Sequence, residues 1–128
     1  MSSDTPVSKT MLWISYVVSA LPVLLLIMSA SFKFIQPAGF AEGVTQMGWD
    51  SGKMFYLGVV EISCVVIYLI PRTAILGAIL LAAYMGGAVA THVRVGDPFW
   101  TQVLVGAFVW GGLWLRDPRV RALIPFRS

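Results

Sequence analysis

Polar residues are scarce along this chain and they come in bunches, leaving four apolar stretches: Met11 to Phe32, Met54 to Ile70, Thr73 to Ala90 and Phe99 to Leu115. A helix needs roughly 20 residues to cross a hydrocarbon core, with about 17 as the lower bound. Each stretch meets or approaches that length. The pattern predicts transmembrane helices at about 11–34, 54–70, 72–92 and 98–115, within a single membrane domain that takes in residues 1–128. A spanning barrel would need dyad alternation over at least about eight strands, and the chain shows neither. The expected fold is an all-α membrane protein, a four-transmembrane-helix bundle.

Two short elements complete the expectation. In "QPAGFAEGVTQMGWDSGK", Phe40, Val44 and Met47 fall at i, i+4 and i+7, and Gly48 follows as a stop. A short interfacial helix between the first and second spans is expected, closed by Trp49; it is either a linker resting on the bilayer or a cover over a site below. Asp97 with Pro98, and Asp117 with Pro118, read as N-caps followed by a first-turn proline. The first pair would open the fourth span. The second would open a short amphipathic C-terminal tail, with Val120, Leu123 and Ile124 toward lipid and Arg119 and Arg121 toward headgroups.

Small residues recur at four-residue spacing, as Ala78, Ala82, Gly86 and Ala90 in the third span and as Ala107 and Gly111 in the fourth. Such stripes let backbones approach, either inside the bundle or between protomers of a homo-oligomer. Aromatic residues gather near the span ends, Trp49, Phe55, Tyr56, Phe99 and Trp100 at one face and Trp13, Tyr68, Trp110 and Trp114 at the other, as an interfacial belt does.

Composition agrees with the pattern: 58% of residues are hydrophobic and 12% charged, against about 25% charged in soluble domains. A soluble globule is excluded, and the surplus apolar surface faces the lipid bilayer. The first run follows Lys9 and ends in Ser29, Ala30 and Ser31, which raises the question of a signal peptide. A signal's apolar core is only about 7–15 residues. This run is far longer and is expected to stay as the first span.

Basic residues set the orientation. Lys9, Arg72, Arg116, Arg119, Arg121 and Arg127 share one side with Asp4 and Asp117, while Lys33, Lys53 and Arg94 share the other with Glu42, Asp50 and Asp97. Both termini are therefore expected on the cytoplasmic side of the membrane. The net charge of +3 then belongs to the inner face, where it suits anionic headgroups better than nucleic acid.

The informative charge is Glu61, about two turns into the second span. A carboxylate inside a span costs on the order of 2.5 to 3.5 kcal/mol, so it turns toward the bundle or a wet cavity and takes a partner. Lys33, His92 and Arg94 lie at similar depth. Glu61 either pairs with Lys33 to fix helix packing, serves a polar cavity with His92 at the rim, or stays protonated; Arg94 and Asp97 also read as plain loop charges. Tyr84 shares a face with His92, and Tyr68 with Glu61 and Cys64. The candidate polar cluster is Lys33, Glu61, Tyr84, His92 and Arg94. A lone cysteine and a lone histidine give no disulfide and no zinc site, and no catalytic motif is legible.

The segments "SASFKFIQPAGFAEGVTQMGW", "LGVVEISCVVIYLIPRT" and "AYMGGAVATHVRVGDP" resemble the DoxX-like integral membrane proteins, over nearly all of residues 12–116. The motif positions are Lys33 after the small residues, Glu61, the "LIP" exit at Leu69 to Pro71, and His92 with "RVGDP". The resemblance implies a small four-helix bacterial inner-membrane protein whose relatives include a subunit of a thiosulfate:quinone oxidoreductase and a partner in thiol-oxidant defence complexes. Three functions stand as expectations: an accessory or redox-associated subunit holding a quinone-like or other lipophilic ligand, although no motif encodes a cofactor; a small-molecule or proton-coupled transporter using Glu61; and a structural partner in an assembly such as a redox complex.

Overall fold

The computed structural model describes residues 7–127, which form six α-helices and no strand. Asp4, assigned above to the inner side, lies outside the described residues. The helices are α1 (Lys9–Ile35), α2 (Phe40–Gln46), α3 (Met54–Leu69), α4 (Ala74–Val95), α5 (Trp100–Arg116) and α6 (Pro118–Leu123). Helix α1, the 3₁₀ turn at Ser51–Lys53 with α3, and the turn at Pro71–Thr73 with α4 make three segments long and apolar enough to cross a membrane. Helix α5, with 17 residues, is the fourth long helix of the bundle.

Local chemistry sets the ends. The Ser8 hydroxyl accepts the Met11 N–H at 3.2 Å and starts α1, and Gln36, at φ 51°, ends it by donating its N–H to the Phe32 carbonyl. Pro22 sits inside α1 with its ring buried; lacking an N–H, it leaves the Val18 carbonyl without a helix donor. Short turns make α3, α4 and α5 antiparallel neighbours. The ring closes because α1 packs on both α3 and α5, while α4 faces α1 across the centre. Val65, Leu81, Val109 and Leu26 fill the core, and Val17, Leu24, Ile79 and Leu104 are exposed on the outer surface. That surface is what lipid covers.

Where helices touch most closely the residue is small. A Cβ on Gly77 of α4 would meet the Tyr68 backbone of α3, and a Cβ on Gly112 of α5 would meet the Ser19 hydroxyl of α1. Ala78 is buried, but Ala82, Gly86 and Ala90 are exposed, so the stripe in α4 leaves the interface after its first member. The helical period explains this: a step of four residues overshoots a turn by about 40°, and three steps carry the stripe about 120° around the helix.

A polar chain ties three helices at the α6 end. Arg116 donates to the Ser19 hydroxyl at 2.8 Å, Ser19 lies 2.7 Å from the Tyr68 hydroxyl, and Tyr68 donates to the Val109 carbonyl at 2.7 Å. Since the phenol proton goes to Val109, Ser19 donates to Tyr68. Tyr68 is 1% exposed, so it is a core residue and does not join the belt expected for it.

One of the two expected helix caps differs from the sequence reading. Helix α5 starts at Trp100 with no side-chain cap, because Asp97 is used at the end of α4: Gly96 turns to φ 78° and the Asp97 N–H closes on the His92 carbonyl at 2.9 Å. Asp117, by contrast, does cap α6 through the Arg119 N–H. Burial pushes its carboxyl up, but hydrogen bonds from Arg119 outweigh that and hold it below the usual carboxylate range. Val120 does not face lipid; at 3% exposure it is inserted into the core, and Arg121 folds back onto the Trp114 and Leu115 carbonyls at the end of α5. The tail is docked on the bundle, with Leu123 and Ile124 outward.

The contrast within α4 is testable. Gly77→Ala should cost about 1–3 kcal/mol by wedging α4 from α3, whereas Gly86→Ala, whose Cβ meets nothing, should leave stability unchanged or slightly raised. Denaturant unfolding in detergent measures both.

Candidate functional site

At the opposite end of the bundle, α2 lies across a partly open cavity of about 560 Å³ walled by α1, α3, α4 and α5. Phe40, Val44, Met47 and Trp49 line it, so the apolar face of α2 is turned toward the cavity as a cover. Gly39 and Gly48, both at φ 86°, let the chain turn sharply at each end of this helix. Two bonds hold it: Arg94 of α4 donates to the Met47 carbonyl at 2.6 Å, and the Gln36 amide donates to the Ser51 carbonyl at 2.9 Å. Arg94 therefore clasps the cover. It is not a partner of Glu61.

Glu61 is fully buried and lines this cavity from α3. Its Oε1 accepts from Lys33 Nζ at 2.8 Å and from the Tyr84 hydroxyl at 2.7 Å, with the Ser29 hydroxyl at 3.5 Å. Lys33 also donates to Ser29 at 2.7 Å; the two are one turn apart on α1 and so share a face. An ion pair at about 4 Å gains roughly 4 kcal/mol at a moderate effective dielectric, and desolvation takes back much of it. The side chain of Lys33 is 15% exposed, which eases its share of that cost. One oxygen of the carboxylate thus collects every donor. The other, Oε2, is buried with no hydrogen-bond partner.

A second polar pair lies on the α4 and α5 walls. His92 Nδ1 is 2.7 Å from the Ala88 carbonyl, which requires Nδ1 to carry the proton and leaves Nε2 as an acceptor for the Gln102 amide at 3.4 Å. The Gln102 carbonyl oxygen is buried and, like Glu61 Oε2, has no partner. Thr91 and Thr101 add hydroxyls; Leu25, Leu26, Leu57 and Val105 supply the apolar remainder.

Of the five residues in the expected cluster, the structure joins Lys33, Glu61 and Tyr84 directly, places His92 on the same cavity, and sets Arg94 apart at the cover. Gln102 was missed. Its signal was an amide side chain that, beside Thr101, makes the first turn of an otherwise largely apolar helix polar, the same kind of anomaly that drew attention to Glu61. No group of three or more potential metal ligands occurs among the described residues.

The Lys33–Glu61 pair yields a double-mutant prediction. Glu61→Gln leaves the ammonium without its counter-charge and should destabilise by on the order of 3 kcal/mol, while Glu61→Gln combined with Lys33→Met should recover most of the loss. Additive losses in unfolding midpoints would mean that the two charges are not coupled.

The DoxX-like family profile matches residues 17–115, well over half of the chain. No curated protein and no solved structure matches significantly.

Proposed function

This chain belongs to the DoxX-like family, and from that premise we propose that it is an accessory, redox-associated membrane subunit that binds a quinone-like lipophile beneath α2. The observation that carries the reading is the pair of buried, unpartnered acceptors, Glu61 Oε2 and Gln102 Oε1, on one largely apolar cavity. Its volume of about 560 Å³ falls within the roughly 300–1,000 Å³ of small-molecule sites. An unmade hydrogen bond in such a place is costly, about 1–3 kcal/mol for each group, so a ligand that brings donors gains by supplying them. A hydroquinone carries two O–H donors and a quinone carries none. The site accordingly favours the reduced form, with the ring among Leu25, Leu57 and Met85.

The same proposal includes four crossings, with α5 as the fourth, and an orientation that puts the α6 end in the cytoplasm of a bacterial inner membrane. Support comes from the antiparallel packing of α5 on α1 and α4 and from the gathering of six of the nine basic residues at that end. The ligand cavity then opens in the outer half of the membrane.

A second reading, an assembly partner, rests on a separate observation: Ala82, Gly86 and Ala90 are exposed on α4, where a second transmembrane helix could approach closely. Disulfide crosslinking of a Gly86→Cys variant in membranes reads that contact; its absence counts against a homo-oligomer through this face.

For the ligand, quenching of tryptophan fluorescence, to which Trp49 at the cavity contributes, gives the affinity of a short-chain benzoquinol and of the matching benzoquinone for the purified chain. The quinol should bind about tenfold more tightly, and Gln102→Leu should erase most of that difference. Equal affinity for both forms, or a preference that survives Gln102→Leu, would overturn the proposal.

A further inference from the structure

A separate cavity of about 1080 Å³ lies at the α6 end, between α1, the α3–α4 turn and the α5–α6 corner. It shares no lining residue with the cavity beneath α2. Its two ends differ in chemistry. Ala20, Leu24, Ile75 and Leu113 line an apolar slot, and Arg72, Arg116 and Arg119 stand at its mouth with Asp117 as the sole acid among the lining residues. Along α1 the wall runs from Tyr16 to Leu24, about 12 Å at the helical rise of roughly 1.5 Å per residue.

The charges at the mouth do not cancel. Arg119 is committed to Asp117 at 3.1 Å. Arg116 donates to the Ser19 hydroxyl and lies 5.7 Å from the Tyr16 ring and 6.0 Å from the Tyr68 ring, so neutral groups hold the guanidinium in place without neutralising it. Arg72 is exposed and makes no ion pair among the described residues. Two positive charges, one of them fixed in position, therefore guard an apolar slot in a protein immersed in lipid.

We propose that this cavity is a binding site for an anionic phospholipid, with the headgroup phosphate taken by Arg72 and Arg116 and an acyl chain lying along α1 from Ala20 to Leu24. Guanidinium groups match phosphate oxygens in pairs, and fixing Arg116 beforehand removes part of the ordering cost of binding. A zwitterionic lipid would bring its own ammonium to a site that already has excess positive charge. Free phosphate would satisfy the arginines and leave the slot unfilled. The inference does not depend on the ligand proposed for the other cavity.

The experiment uses the full chain, delipidated in detergent, with added phosphatidylglycerol, phosphatidylcholine or inorganic phosphate, read by thermal unfolding and by native mass spectrometry. Phosphatidylglycerol should raise the unfolding midpoint and persist as a one-to-one adduct, and the other two should do neither. Arg72→Gln, at an exposed position, should weaken phosphatidylglycerol about fivefold. Ala20→Phe, which crowds the slot and leaves every charge in place, should weaken it as well. Equal stabilisation by phosphatidylcholine overturns the charge argument, and equal stabilisation by phosphate alone makes this a phosphate site. Retention of full affinity in either variant removes the headgroup contact or the seated chain, and with it the proposal.

Discussion

The shared carboxylate of Glu61 is the constraint on which the α2 end of this bundle depends. A charge that cannot reach water must be met by the protein, and here the partners come from two other helices: Lys33 and Ser29 from α1 and Tyr84 from α4. Three of the four long helices are thereby held in one register at one point. Apolar packing alone would tolerate sliding, because one buried leucine replaces another at little cost; a bond at 2.8 Å to a single oxygen does not. The same arrangement leaves Oε2 without a donor, so the residue that sets the packing also furnishes the most demanding atom of the cavity.

The α6 end is organised by the opposite sign of charge. Arg116, Ser19, Tyr68 and the Val109 carbonyl form a line of donors and acceptors through α5, α1 and α3, and it ends on a backbone carbonyl. Between the two polar levels lies an apolar layer that includes Leu26, Val65 and Leu81. Each end therefore has its own polar anchor and its own cavity, the one beneath α2 built around an acid and the one near α6 around arginines. A helical bundle in lipid has little hydrophobic drive to associate, so these polar contacts, with the close approach at Gly77 and Gly112, carry the specificity of packing.

Most of the helix layout was legible in the sequence, because span length and polar breaks are one-dimensional signals. The expected spans at 54–70 and 98–115 became Met54–Leu69 and Trp100–Arg116, and the i, i+4, i+7 face of Phe40, Val44 and Met47 became the cover over the cavity. What the sequence did not yield depends on rotation about the helix axes. Ala82, Gly86 and Ala90 could not be told from an interface by spacing alone, Tyr68 was assigned to a belt although it is buried, and Val120 was turned toward lipid although it enters the core. Within the site, Glu61 and Lys33 stood out because charge is expensive in a span. Gln102 did not, since one amide near a helix start is cheap until tertiary structure encloses it, and Arg94 could be assigned to its carbonyl only once α2 had been placed against α4.

Of the walls of the cavity, the cover is the most weakly held. No residue of α2 is buried, and the helix is one of only seven residues, flanked by Gly39 and Gly48 in left-handed conformations. Its attachments to the bundle include the Arg94 bond to the Met47 carbonyl and the contact of Gln36 with Ser51. Elements with few buried contacts and few hydrogen bonds open at the lowest free energy. The four long helices, by contrast, are tied by the two polar levels taken together, α1, α3 and α4 at Glu61 and α1, α3 and α5 at Arg116. The Phe40, Val44 and Met47 face is therefore the most readily displaced wall of the partly open cavity, and Arg94, bonded to the Met47 carbonyl and not to Glu61, is one of the contacts that keep it in place.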